Sequence, residues 1–306
     1  MSDVRPKPDD DILLRAWLVT LRSEGYPAST QYSYLKAARA FQRWLCRPLD
    51  TATRADIRGF ITDMQDRKLA ISTISNRVAV LKAFYNWATT EGDIPKNPTA
   101  GIRVAMPPTR VTQLLTLPEL QQLLKVRRGS DFLAVRDRAI IMVLADTGVR
   151  ISELLDMRLA EIDVVAGTIV VRGKGANRQG PRVRVVAMGD KTSLAVARYI
   201  RLRSTRPGAD LPHLWLSLRA RPLSANTLRV MLRKAGKQAG ITKPVHPHAF
   251  RHLFAHEFRN AGGNDTDLMT LGGWSNQQLI AKLYGNAAAE QRAHQAAKKF
   301  SLGDRI

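Results

Sequence analysis

The sequence predicts a mainly α-helical protein: an all-helical N-terminal domain, then a mainly helical α+β domain with a small antiparallel sheet. Three observations predict it. Apolar residues recur at helical spacing in four successive segments before residue 90. Strand-type alternation is confined to one glycine-bounded stretch between residues 167 and 188. A proline-containing stretch without any period separates the helical first part from the rest.

The first part reads as follows. "ILLRAWLVTL" places Leu14, Trp17, Leu18 and Leu21 on one helix face, and "STQYSYLKAARAFQRWL" does so with Leu35, Ala38, Phe41 and Leu45. "DIRGFITDM" adds Ile57, Phe60, Ile61 and Met64, and "STISNRVAVLKAFYNWA" adds Val78, Leu81, Tyr85 and Ala88. Four amphipathic helices with short connections predict a small bundle. "EGDIPKNPTAGIRVAMPPTR" then supplies four prolines and two glycines, and reads as an interdomain linker. Residues 1–100 are assigned to the first domain, 101–115 to the linker, 116–285 to the second domain and 286–306 to a tail.

The second part opens at "TLPEL", where Thr116 and Glu119 have capping-box spacing and Pro118 suits the first turn. A helix through "DRAIIMVLADTG" is expected to end at Gly148, with Ser152 capping the next helix through "SELLDM". "GTIVVRG" and "RVRVVAM" alternate like strands around the glycine-rich turn "KGANRQGP", and "HLWLS" is expected to add another strand. From Ser224 the chain is helical again, and "NAAAEQRAHQAAKKF" reads as a separate Ala-rich helix.

A hydrophobic share of 44% with 24% charged residues fits a globular protein. No apolar run approaches membrane-spanning length, and "MSDVRPKPDD" lacks a signal-peptide core, so a cytoplasmic protein without membrane contact is expected. The single cysteine, Cys46, excludes an internal disulfide framework and a cysteine-rich zinc module. Lys and Arg total 48 against 26 Asp and Glu, a net charge of +22. The excess is uneven: residues 1–105 hold 16 basic and 11 acidic side chains, residues 106–306 hold 32 and 15. Such a balance points to a polyanionic partner, of which nucleic acid is the usual one.

Four segments could carry chemistry. In "HPHAFRHLFAHEF" the histidines His248, His252 and His256 fall four apart on one helix face. Three successive turns spread about 12 Å, too far for one ion with bonds near 2 Å, and the HExxH pattern is absent, so no metal is expected. A packed face and an anion site remain open. His248 and Arg251, three apart near a helix start marked by Pro247, suit a phosphate, with His252 buttressing them. Arg150 stands in the turn of "DTGVRISELL", with Glu153 placed to hold its guanidinium. Lys174 begins the hairpin turn in "VRGKGANRQG". In "LGGWSNQQLIAKLYGN", Ser275 and Gln278 have capping-box spacing, Trp274 precedes them, and Tyr284 ends the helix before Gly285. Each segment alone also fits an ordinary surface or packed residue.

Taken together, "TGVRISELLDMRLAEID", "VRGKGANR", "HPHAFRHLFAHEF" and "LMTLGGWSNQQLIAKLY" resemble, in order and spacing, the active-site series of the tyrosine recombinase (phage integrase) family. The resemblance extends over the whole chain. It implies that residues 1–100 form a SAM-like core-site DNA-binding domain and 116–285 the catalytic domain. It also implies a tail helix that docks on a neighbouring protomer. Tyr284 would attack a scissile DNA phosphate to form a 3′-phosphotyrosyl link, with strand exchange through a Holliday junction. Arg150 and Arg251 would grip the non-bridging oxygens. His248 would donate to the phosphate or accept the phenol proton, Lys174 would protonate the leaving 5′ oxygen, and Trp274 would donate its indole N–H. Many members carry histidine where Trp274 stands; indole donates but cannot accept a proton.

The family needs no cofactor. Its partners would be double-stranded DNA and a homotetramer on synapsed sites, with an accessory DNA-bending or directionality factor as an option. The setting would be nucleoid-associated, in a bacterial or phage-infected cell. On "SANTLRVMLRKAGKQAG", Arg229, Arg233, Lys234 and Lys237 are candidates for DNA contacts, against a plain solvated face. The alternatives are type IB topoisomerase-like relaxation and a catalytically inactive DNA-binding relative.

Overall fold

A computed structural model describes residues 12–105, 113–173 and 183–274, which fall into two compact units. The first contains α1 (Ile12–Ser23), α2 (Ala28–Leu45), α3 (Arg54–Asp66) and α4 (Ile71–Thr90). Thr53 and Asp56 form a capping box at the start of α3, the Asp56 carboxylate accepting the Thr53 N–H at 2.7 Å. The expected faces meet in one core built on Trp17, Phe41, Phe60, Leu81, Phe84 and Tyr85. Edge-to-face pairs such as Phe41–Phe60 and Trp17–Phe84, both 5.2 Å between centroids, give this core fixed geometry beyond its buried area. Ile94 and Ile102, inside the stretch read as a linker, are buried in the same core, so its first half packs as part of the bundle.

The second unit is mainly helical. It runs α5 (Leu117–Lys125), α6 (Phe132–Thr147) and α7 (Ile151–Asp156), then the strands β1 (Ile162–Asp163), β2 (Thr168–Arg172) and β3 (Val183–Ala187). The helices α8 (Asp190–Arg203), α9 (Ala225–Gln238), α10 (Pro247–Asn260) and α11 (Asp265–Gly272) follow. The sheet is antiparallel in the order β1-β2-β3, with Val170 opposite Val185. Ile169, Val171 and Val186 point into the core, as alternation requires. The axis of the unit is α6, apolar on most of its circumference and packed against both α8 and α10. Thr116 and Glu119 form the expected capping box, and Lys243 bridges to the Glu119 carboxylate at 2.9 Å and the Leu114 carbonyl at 2.8 Å. Among the described residues no helix is long and apolar enough to cross a membrane.

Two expectations need correction. "HLWLS" is buried at Leu214, Trp215 and Leu216, but it joins no strand of the sheet and makes only isolated bridges, His213 with Arg158 and Leu216 with Pro222. Its carbonyls are met from elsewhere: Arg203, 1% exposed, donates to those of His213 and Leu214 and, before them, of Ala209 and Leu211, Arg136 donates to that of Leu216, and the Leu223 N–H to that of Trp215. Nor does Ser152 cap α7. Arg150 holds the cap position, and the Glu153 carboxylate accepts its backbone N–H at 2.8 Å, reaching back from the third helical residue. The hairpin turn "KGANRQGP", the Ser275–Gln278 pair and the tail helix lie outside the described residues.

Replacing Arg203 by methionine keeps the apolar stem but strips several buried carbonyls of their donor. We expect Arg203→Met to lower unfolding free energy by at least about 3 kcal/mol in urea titration; a loss below about 1 kcal/mol would mean these carbonyls do not depend on the guanidinium.

Candidate active site

The site is built at the C-terminal end of α6. Gly148 closes that helix in the left-handed region, φ 57°, and a Cβ there would stand 2.5 Å from the Phe254 ring of α10, so only glycine fits. Its carbonyl accepts a hydrogen bond from the Arg251 guanidinium at 2.7 Å. Arg251 reaches it because α10 starts at Pro247, with the His246 ring accepting the Ala249 N–H at 3.3 Å. That start sets His248 and Arg251 one turn apart near the helix N-terminus.

Two residues after Gly148, Arg150 donates to Glu153 at 2.9 Å and to the Gly273 carbonyl at 2.6 Å. Gly273 caps α11 in the left-handed region, φ 65°, and Trp274 follows. The Trp274 ring lies face-on to Arg251, with the guanidinium carbon 3.6 Å from the ring centroid. The loop is closed: residue 148 binds Arg251, Arg251 stacks on Trp274, and the residue before Trp274 binds Arg150. A Cβ on Gly272 would fall 1.7 Å from the indole, so that glycine leaves room for the ring. Arg251 is 5% exposed, whereas the Arg150 side chain is 38% exposed.

His248 is exposed beside these cations, and His252 is half-buried one turn on. Partial burial lowers the His248 pKa from its ordinary value, and the charges of His246, Arg251, Arg150 and Arg229 lower it further. Burial likewise lowers His252 and His246. His256 turns elsewhere, to Glu257 and Asn260, each at 3.1 Å. Among the described residues no group of three or more His, Cys, Asp or Glu side chains could hold a metal ion. Arg229, Arg233, Lys234 and Lys237 are all exposed on α9, opposite the buried Leu228, Met231, Leu232 and Ala235. The charge of Arg229 is among those that lower the His248 pKa. Lys174 and Tyr284 lie outside the described residues.

Glu153 does what its spacing suggested and more. It is 2% exposed, and its carboxylate also accepts two hydrogen bonds from Arg184 of β3, at 3.1 and 2.8 Å. Arg184 donates in addition to the Leu271 carbonyl at 2.7 Å, at the end of α11. Sequence reading passed over Arg184. The available signal was a cation at the strand position that shares the inward face with the buried Val186.

With a neutral form favoured in the fold and an ordinary pKa near 6.5 when unfolded, His246, His248 and His252 bind protons more readily in the unfolded chain as pH falls below about 6.5. Stability is therefore complete above that pH and declines below it. The thermal midpoint of the protein alone should drop between pH 7.5 and 5.5, and His248→Gln/His252→Gln should shrink the drop; an unchanged drop in that variant refutes the assignment.

Residues 113–291 match the model of the phage integrase family, and residues 13–92 match the phage integrase N-terminal SAM-like domain. The tyrosine recombinase XerC of Oceanobacillus iheyensis is 31% identical over 216 residues, 69% of each chain. XerC of Bacillus subtilis is 27% identical over 263 residues, 83% of this chain and 84% of that one. Among solved structures, the Tn1549 transposon integrase in complex with a circular intermediate DNA superposes with a TM-score of 0.74 at 22% identity, over 94% of this chain and 99% of that one. A lambda integrase dimer bound to a core site gives 0.70 at 20% identity, over 90% and 77%. At these identities the two structures establish the fold alone.

Proposed function

The chain belongs to the phage integrase family and is a site-specific tyrosine recombinase, and from that premise we propose how its residues cut and rejoin double-stranded DNA. Arg150 and Arg251 bind the non-bridging oxygens of one phosphate. The observation that carries this is the closed loop of contacts through Gly148, Trp274 and Gly273, which ties two guanidiniums from distant segments into one network. Both are donors aimed where charge grows as phosphorus becomes pentacoordinate.

Tyr284 is the nucleophile. Its phenol oxygen bonds to phosphorus as the bond to the 5′ oxygen breaks, leaving a 3′-phosphotyrosyl link and a 5′ hydroxyl. The phenol proton passes to His248, whose lowered pKa leaves a neutral ring able to accept it. Lys174 delivers a proton to the departing 5′ oxygen. One phosphorus–oxygen bond replaces another, so a second 5′ hydroxyl can reverse the step, rejoining strands through a Holliday junction without an external energy source. Trp274 holds Arg251 with its ring face and offers its N–H to the phosphate. The cations of α9 (Arg229, Arg233, Lys234 and Lys237) bind neighbouring backbone phosphates. The working assembly is four protomers on two synapsed sites. The XerC relatives favour recombination over simple relaxation of supercoils, and the assembled arginine pair speaks against an inactive relative.

A DNA substrate nicked beside the cleavage position, so that the cut fragment diffuses away, will trap the covalent complex. Wild type should accumulate it and Tyr284→Phe should not, while binding the same DNA with similar affinity. Arg150→Ala or Arg251→Ala should slow trapping by about 10²–10³-fold. Trapping that persists in Tyr284→Phe removes that residue as nucleophile.

The cations of α9 have a separate readout in the salt dependence of binding. Removing one phosphate-neutralising side chain should flatten the plot of log affinity against log salt by about 0.9, so Arg233→Ala/Lys237→Ala should flatten it by about 1.8. An unchanged slope would mean that this face meets only solvent.

A further inference from the structure

We propose that Arg184 is a positioning residue for DNA cleavage, taking up the charge of Glu153 so that Arg150 meets the phosphate as an uncompensated cation. The inference rests on the reading of Arg150 as a phosphate ligand. Its ground is the arrangement around one buried carboxylate. Glu153 accepts four N–H groups: the Arg150 backbone at 2.8 Å, the Arg150 side chain at 2.9 Å, and the two arms of Arg184 at 3.1 and 2.8 Å. The four bonds fill the lone-pair sites of the carboxylate.

The two arginines share that carboxylate unequally. Arg184 grips it with a bidentate fork and is 12% exposed, while Arg150 spends one side-chain nitrogen on it and is 38% exposed. Two guanidiniums and one carboxylate leave a single net positive charge, and the exposed member is Arg150. Without Arg184, Glu153 and Arg150 would form a neutral pair, and the phosphate would meet a dipole in place of a cation. Burial alone would raise the Glu153 pKa, but the bonds from Arg184 and Arg150 outweigh it and hold the carboxyl below its ordinary value. The carboxylate is therefore a fixed negative charge that must be balanced.

The remaining nitrogen anchors Arg184 itself: its Nε donates to the Leu271 carbonyl at the end of α11, which keeps the fork on the carboxylate behind Arg150. Lysine could supply the charge but not the fork, and glutamine neither.

The test measures trapping on the nicked substrate at saturating DNA, with DNA affinity determined separately. Arg184→Gln should lower the trapping rate by about 10–100-fold with affinity within about twofold, and Arg184→Lys should recover part of the loss. Charge balance predicts dependence on the carboxylate: once Glu153→Gln removes it, adding Arg184→Gln should cost no more than about threefold. A double variant more than about tenfold slower than Glu153→Gln, with its thermal midpoint intact, overturns the proposal and leaves Arg184 a scaffold residue. The same comparison stands if Arg184→Gln alone does not fold, because the double variant leaves no unpaired buried carboxylate. Trapping by wild type and its loss in Tyr284→Phe are the controls. With both in place, a failed Arg184 comparison overturns this inference alone; no trapping by wild type overturns it together with the proposed reaction.

Discussion

Two like-charged guanidiniums, Arg150 and Arg251, are tied into one network of contacts, and several elements of the second unit meet there to hold them. Each has an anchor of a different kind. Arg251, nearly buried, is fixed by the Gly148 carbonyl and by the face of Trp274. Arg150, more exposed, is fixed by Glu153 and the Gly273 carbonyl. Carbonyl dipoles and an indole quadrupole stabilise a cation without neutralising it. A carboxylate would neutralise it, and Glu153, which pairs with Arg150, also carries a second arginine. The demands on the backbone follow from this. Two helices end in left-handed glycines at the site, because their terminal carbonyls must turn toward side chains arriving from elsewhere.

Much of this could be read from the sequence, and where it could not the reason is physical. The four helices of the first unit were legible because each presents its own apolar face at helical spacing. Arg150, His248, Arg251 and Trp274 were singled out as a series through their resemblance to a family, and the pairing of Glu153 with Arg150 through their three-residue spacing. Arg184 was not: its partners lie 31 and 87 positions away, and local pattern carries no information about such contacts. "HLWLS" was misread because alternation reports burial, not pairing. Trp215 is buried as expected, but the neighbouring carbonyls answer to a guanidinium rather than to a strand. The capping of α7 failed similarly. Serine is the commoner cap, yet at this turn a carboxylate already needed for Arg150 reaches the same backbone N–H.

Charge and apolar patterning divide the labour between the units. The first unit carries the smaller basic excess and an aromatic core whose stacked and edge-on pairs give a small bundle its rigidity. The second unit carries most of the positive charge, and α9 shows how it is tolerated. One face supplies Leu228, Met231, Leu232 and Ala235 to the core, while the other holds its cations in solvent, where like charges are screened. Cations kept solvated are inexpensive until a polyanion arrives and displaces their counterions. Those of the site are different, since burial and mutual repulsion apply whether or not DNA is present.

That permanent positive field also prepares the acid–base chemistry. The arginine charges disfavour protonation of any imidazole beside them, and His248 is lowered by burial first and then by His246, Arg251, Arg150 and Arg229. The neutral ring, with a nitrogen lone pair available, is thereby favoured over the charged one. The same field acts in the opposite sense on a phenol, because phenolate is the charged form and positive neighbours favour it. A tyrosine brought next to this cluster would have its proton loosened while the nearest base is held ready to accept it. Once DNA binds, the phosphate screens part of that field from both groups. That field is sustained by the anchors of the two guanidiniums, with the Glu153 carboxylate shared between Arg150 and Arg184.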